Sequence, residues 1–179
     1  DYSMVSVSGY GIISGFTNDG NKIPEQTIPQ YYDKLGFSYN KFADSITVSE
    51  TEWDFERYKP DIIVINLGTN DMNYATTDER KAEFEDGYLD FLKKVRSLNP
   101  DSYVFQTYGV MGTSLEENIE NVRRKYMSET GDERITFIPL TMQDEDADGI
   151  VADWHPSPRT HSLVSQKVTA AIKKTLGYK

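Results

Sequence analysis

The chain has two histidines, and both fall in one short stretch, VADWHPSPRTH (151–161). His155 stands beside Asp153 and Trp154, one residue before Pro156 and just ahead of a helical pattern. A neutral imidazole is the side chain best matched to accepting a proton near neutral pH. The stretch therefore reads as a general base with an aromatic neighbour, and a general base needs a nucleophile. The sequence has no cysteine, which excludes thiol nucleophiles, disulfides and thiolate metal ligands. Two other loops carry groups suited to the same chemistry. SVSGYG (6–11) has glycines that let a backbone approach a ligand and present N–H groups, and NLGTNDMN (66–73) places Asn70 and Asp71 at its tip. Together, a Gly9 N–H, an Asn70 amide and His155 would form half of an acyl-transfer site. The first two would donate to a developing oxyanion and the imidazole would take the nucleophile's proton. Each loop also has an ordinary structural reading, since Asn and Asp favour turns and Asp, His and Pro recur at helix starts.

These groups need a frame, and four segments read as strands. YSMVSVSG (2–9) is rich in β-formers and closed by glycine. DIIVINLG (61–68) is a continuous apolar run, the pattern of a parallel strand buried on both faces. SYVFQTYG (102–109) and RITFIPL (134–140) complete the set. Helical patterns lie between and after them. In 77–98 the residues Phe84, Tyr88, Phe91, Leu92 and Val95 form one apolar stripe, with Thr76 and Glu79 as a capping box and Asn99-Pro100 as a stop. In 115–130 the stripe is Leu115, Ile119, Val122 and Tyr126, with Ser114 and Glu117 as the box and Gly131 as the stop. The last helix starts with Ser157 as N-cap and Pro158 in the first turn, and Val164, Val168, Ala171 and Ile172 face inward. Residues 17–60 are loop-rich, and only 28–36 looks helical. Strands alternating with helices give an α/β fold with a parallel sheet, whose functional loops gather at the carboxyl ends of the strands. No repeat or linker divides residues 1–179, so they are expected to form one domain.

Composition narrows the partners. A formal net charge of −10 argues against nucleic acid and against an anionic membrane surface, both of which call for clustered Lys and Arg. No stretch approaches the roughly 20 apolar residues of a membrane span. The chain opens on Asp1 without a charged-then-apolar leader, as a mature or trimmed product would. A neutral polymer or small molecule is the partner that this charge leaves open.

Taken together and in order, the three loops resemble the SGNH hydrolase superfamily, and more closely carbohydrate esterase family 2, the acetyl esterases of plant polysaccharides. The resemblance is carried by DYSMVSVSGYGI (1–12), WDFERYKPDIIVINLGTND (53–71) and DGIVADWHPSPRTH (148–161). It implies a three-layer α/β/α fold with a flavodoxin-like parallel sheet, a secreted esterase acting on acetylated xylan or mannan, and no cofactor. Carried over residue by residue, it makes Gly9 and Asn70 oxyanion donors and His155 the general base. Trp154 matches an aromatic that the family uses near its substrate. Asp153 sits two residues before the histidine, whereas the superfamily places its aspartate three before, where this chain has Ala152. Either Asp153 orients the ring as the third member of a triad, or a backbone carbonyl does so and the site is a dyad.

One block of the family pattern is missing. Gly-Asp-Ser, which carries the nucleophilic serine, should follow a strand lying before the segment that opens this chain. FADSITVSE (42–50) imitates its wording through Ala43-Asp44-Ser45, but it comes after the SGYG loop and no buried strand leads into it. In a flavodoxin-like order the first strand lies mid-sheet, so without it the strands around it would expose apolar edges. The expectation is that this sequence is the carboxyl-terminal part of a longer polypeptide whose upstream segment carries the first strand and the serine. Alternatives are a self-contained esterase using Ser45 and a non-catalytic carbohydrate-binding module built on Trp154. The acidic run DEDADG (144–149) opens like a calcium loop, but His155 occupies the position of the bidentate glutamate, so no metal site is expected.

Overall fold

The computed structural model of the chain describes residues 1–37, 41–42 and 45–178. A two-residue hairpin comes first, β1 (Lys41–Phe42) pairing antiparallel with β2 (Ile46–Thr47). The main sheet is built from β3 (Ile62–Asn66), β4 (Tyr103–Tyr108) and β5 (Ile135–Pro139), parallel throughout and in the order β3-β4-β5. Parallel neighbours need long crossovers. Helix α1 (Asp78–Leu98) supplies the first and α2 (Glu116–Thr130) the second. A single helical turn, α3 (Glu145–Asp148), and the terminal helix α4 (Pro158–Leu176) complete the order.

The period of two along β4 sorts its side chains into two cores. Val104 and Tyr108 join Phe84, Tyr88, Phe91, Leu92 and Val95 of α1 and Ile119, Val122 and Tyr126 of α2. Phe105 turns the other way and meets Ile138 and Leu140, with Val164, Val168, Ala171 and Ile172 of α4 packed against them. Two helices cover one face of the sheet and one covers the other, which is the expected three-layer α/β/α arrangement. Each fully buried aromatic or aliphatic side chain stabilises it by about 1.5–3 kcal/mol, so the stripes on α1 and α2 dominate the packing. At the amino edge of the strands Arg96 bonds the Ser102 and Arg134 carbonyls and pairs with Asp132 at 2.6 Å, tying α1 to the start of β5.

The helix limits follow local chemistry, with small shifts from the sequence reading. Thr77, not Thr76, caps α1 by accepting from the Arg80 N–H. Helix α2 begins after Leu115 without a side-chain cap, so Ser114 does not cap it, and it ends at Gly131 in the left-handed region (φ 69°). Ser157 caps α4 as expected, accepting from Thr160 N–H at 3.1 Å.

Three expectations are overturned. Residues 2–9 form no strand, and Tyr2 and Met4 lie 86% and 75% exposed. A strand exists only through its ladder partner, and these residues have none among the described ones. DIIVINL is not buried on both faces either: β3 is an edge strand, with Ile65 buried but Val64 47% exposed. Residues 28–36 yield only a short 3-10 turn at Ile28–Gln30.

Candidate active site

Three loops at the carboxyl side of the sheet hold the residues that sequence singled out. The first, residues 9–16, follows the segment expected as the first strand and takes a tight path. Gly9 has φ +80°, and its carbonyl accepts from Phe16 N–H at 2.8 Å. Gly11 is bound on both sides, donating to Gln26 and accepting from Ile28. The Gly9 N–H makes no hydrogen bond among the described residues.

The second loop follows β3. Asn70 donates its side-chain N–H to the Tyr10 carbonyl at 2.7 Å, so the structure joins Asn70 directly to the glycine loop. A primary amide has two N–H donors, and only one is used on Tyr10. Asp71, next along, is wholly buried and accepts from the backbone N–H groups of Ile12 (2.9 Å), Ile13 (2.8 Å) and Ser14 (3.1 Å). Burial pushes its carboxyl up to about 6, against the downward pull of those three amides. Sequence reasoning set Asp71 at the loop tip but gave it no role. Its signal was there in Gly-Thr-Asn-Asp, but which amides an aspartate meets is decided by a loop some 57 to 59 residues away.

The third loop joins α3 to α4 and carries VADWHP. Val151 N–H donates to the His155 carbonyl, and His155 N–H donates back to Ala152 at 3.2 Å. Asp153 and Trp154 both sit at positive φ, 54° and 60°. Two consecutive non-glycine residues there cost roughly 1–3 kcal/mol each and mark a segment held in shape by its surroundings. Gln143 supplies part of that hold, donating to the Trp154 carbonyl at 2.7 Å. Ser157 supplies the rest, donating to the Asp148 carbonyl at 2.7 Å while capping α4.

This backbone path decides what the histidine can do. His155 Nδ1 lies 3.1 Å from the Ala152 carbonyl oxygen. A carbonyl only accepts, so Nδ1 carries a proton, and in the neutral ring Nε2 then keeps the lone pair that a general base requires. Asp153 makes no side-chain hydrogen bond among the described residues, and its neighbour Trp154 is 61% exposed. His161 lies on the exposed side of the first turn of α4. No hydrogen bond among the described residues links His155 to Gly9 or Asn70. Of the three, Asn70 reaches the glycine loop, through the carbonyl of Tyr10 next to Gly9.

The remaining candidates fall elsewhere. Ser45 is an exposed turn residue preceding β2, while Ala43 and Asp44 lie outside the described residues. The acidic run forms the α3 turn, with Asp144 capping it and Asp148 paired to Arg159 at 2.7 Å. Among the described residues no cluster of three acidic or histidine side chains is placed to hold a metal ion. No helix there is long and apolar enough to cross a membrane.

A parallel α/β/α sheet carrying a glycine loop, an asparagine amide and an imidazole on its carboxyl-side loops has the SGNH hydrolase architecture. Residues 9–163 match the GDSL-like Lipase/Acylhydrolase family, and the chain belongs to that family. Among curated relatives, the cellulase/esterase CelE of Acetivibrio thermocellus is 34% identical over 148 residues, 78% of this chain and 17% of that protein. An acetylxylan esterase / glucomannan deacetylase of Cellvibrio japonicus is 22% identical over 98% of this chain and 44% of its own length. Among solved structures, an acetyl xylan esterase (Est2A) from the rumen bacterium Butyrivibrio proteoclasticus superposes with a TM-score of 0.84 at 22% identity, over 96% of this chain and 50% of that one. A family two carbohydrate esterase from Clostridium thermocellum, in complex with cellohexaose, gives 0.75 at 30% identity, over 96% and 49%. The chain thus spans half or less of the length of these relatives.

Proposed function

We propose that this chain is the carboxyl-terminal part of one SGNH-type acetyl esterase domain that removes O-acetyl groups from plant polysaccharide such as xylan or mannan. The observation that carries the reading is the contact of His155 Nδ1 with Ala152, which leaves Nε2 free to act as a base. A serine hydroxyl attacks the acetyl carbonyl carbon and Nε2 takes its proton. The Gly9 N–H and the second Asn70 N–H bond the tetrahedral oxyanion, and its collapse expels the sugar alkoxide, which is protonated from the imidazolium. Water, deprotonated by the same Nε2, then releases acetate. Ala152 does the orienting that an aspartate does in a triad, so the site works as a dyad. The solvent-facing indole of Trp154 offers the apolar face of a sugar ring a flat surface beside the base. The acetylxylan esterases and the cellohexaose-bound carbohydrate esterase among its relatives support a polysaccharide substrate, and an enzyme acting on such a polymer is expected to be secreted.

The serine is assigned to an upstream segment of the same polypeptide, which also supplies a strand beside β3. Several features support this reading. Among the described residues the outer edge of β3 is unpaired, Val64 and Leu163 are 47% and 48% exposed, and the apolar residues Met4 and Val5 face solvent. An open sheet edge and exposed apolar side chains are features that a native sheet protects by covering them.

Purified full-length polypeptide with a chromogenic acetate ester and an acetylated xylo-oligosaccharide tests the proposal. Hydrolysis of both, lost in His155→Ala and in the variant lacking the upstream serine hydroxyl, is the expected result. Oligosaccharide binding without turnover would make the site a carbohydrate-binding module. Loss of activity in Ser45→Ala would relocate the nucleophile.

A further inference from the structure

We propose that Asp71 is a positioning residue for the oxyanion site: its buried carboxylate clamps the loop at Ile12, Ile13 and Ser14 and so fixes where Gly9 and Asn70 point. This rests on the reading of those two groups as oxyanion donors. Asp71 and Asn70 are consecutive, and between them they hold the loop by opposite chemistry. Asn70 donates to the Tyr10 carbonyl at 2.7 Å, and Asp71 accepts from the next three non-glycine amides. The main chain of Asp71 is itself fixed, donating to Gly68 at 3.1 Å and accepting from Ala75 at 2.8 Å.

Gly11 is shaped for this contact. A Cβ built on it would stand 2.4 Å from Asp71 Oδ2 and 2.1 Å from the Ser14 carbonyl, distances no side chain tolerates. Only glycine lets the loop wrap so closely that three successive amides reach one carboxylate. The clamp has no cationic partner among the described residues. The other titratable groups that feel its charge are the hydroxyls of Tyr88 on α1 and Tyr108 on β4, both raised chiefly by burial and further by Asp71. A buried carboxylate met only by neutral donors is costly to keep, and its partners are all in the loop that carries Gly9. The loop geometry is what that cost maintains.

Two measurements on the full-length polypeptide test the clamp. In Asp71→Asn, kcat for the acetate ester should fall about 10–100-fold with KM little changed, because the donors are displaced while substrate contacts survive. Wild-type kcat in folded Asp71→Asn overturns the proposal, whereas an inactive wild type would overturn the esterase reading and leave the clamp to the second measurement. Backbone amide NMR then follows Ile12, Ile13 and Ser14 with pH. In wild type and in His155→Ala they should titrate together with a midpoint about 6, the value to which burial raises the Asp71 carboxyl. If these amides are unmoved through that range, or move only while His155 is present, Asp71 does not hold the loop.

Discussion

Gly87 gives a prediction in which two effects of opposite sign compete. It lies in the middle of α1, where replacing glycine by alanine ordinarily stabilises a helix by about 1 kcal/mol. Here the added Cβ would stand 2.3 Å from Ile13 Cγ2, well inside contact. The methyl of a β-branched residue cannot swing away, because χ1 is restricted. Ile13 is also anchored through its N–H to Asp71 at 2.8 Å, so the loop must shift as a body or α1 must move. Overpacking of this kind costs about 1–3 kcal/mol. The net for Gly87→Ala is a destabilisation of up to about 2 kcal/mol, or a fall in Tm of up to about 8 °C for a chain of this size, together with reduced esterase rate from the displaced glycine loop. The double variant decides whether the reasoning holds. With Ile13→Ala, the nearest atoms to the new Cβ become Ile13 Cβ at 3.8 Å and Ile12 Cγ2 at 3.9 Å, ordinary van der Waals contacts. Gly87→Ala should then raise stability by about 1 kcal/mol relative to Ile13→Ala alone, as helix propensity dictates. Urea denaturation of the four proteins of this cycle measures both terms. A Gly87→Ala single variant that melts above wild type, or a cycle without sign reversal, refutes the argument.

Three further outcomes follow from the site. Asp153→Asn should leave ester hydrolysis within about fivefold of wild type, because Ala152 holds the ring; a triad aspartate would cost about 10⁴-fold in kcat. Ser157→Ala removes a bond to Asp148 and the cap of α4, and should lower stability by about 1–2 kcal/mol in thermal or urea melts, with an unchanged midpoint counting against it. The pH dependence of Asp71 has a definite sign. Its native carboxyl is raised from 3.8 to about 6, so the stability it contributes is full below the unfolded value and is lost as pH rises through about 6. The stability of wild type relative to Asp71→Asn should therefore fall by about 3 kcal/mol between acid and neutral pH, and a flat or rising difference would show that the carboxyl is not raised.

Much of the frame was legible because it rests on local rules. The stripes of α1, α2 and α4, Gly131 as a stop and Ser157 as a cap follow from helical period and terminal hydrogen bonding. SYVFQTYG does form a strand, β4, as its aromatic and β-branched residues suggest, and the structure puts it in the middle of the sheet. Residues 2–9 misled for a stated reason: β-propensity describes a residue's fit to a pleated surface, and it cannot supply the neighbouring strand. Val64 misled in the same way, since an apolar side chain reads as buried whether or not anything covers it.

The sequence by itself determined which groups are available for chemistry: an imidazole after Asp-Trp, an asparagine after Gly-Thr, a glycine-rich loop and no thiol. It also determined the family, because those groups recur in a fixed order. Only the tertiary structure decided how they are held. It gave His155 a backbone carbonyl instead of a carboxylate, bound Asn70 to Tyr10, and drew Asp71 onto three amides far away in sequence. Hydrogen bonds between distant loops depend on where the sheet brings their backbones, and no local pattern of residue types encodes that distance.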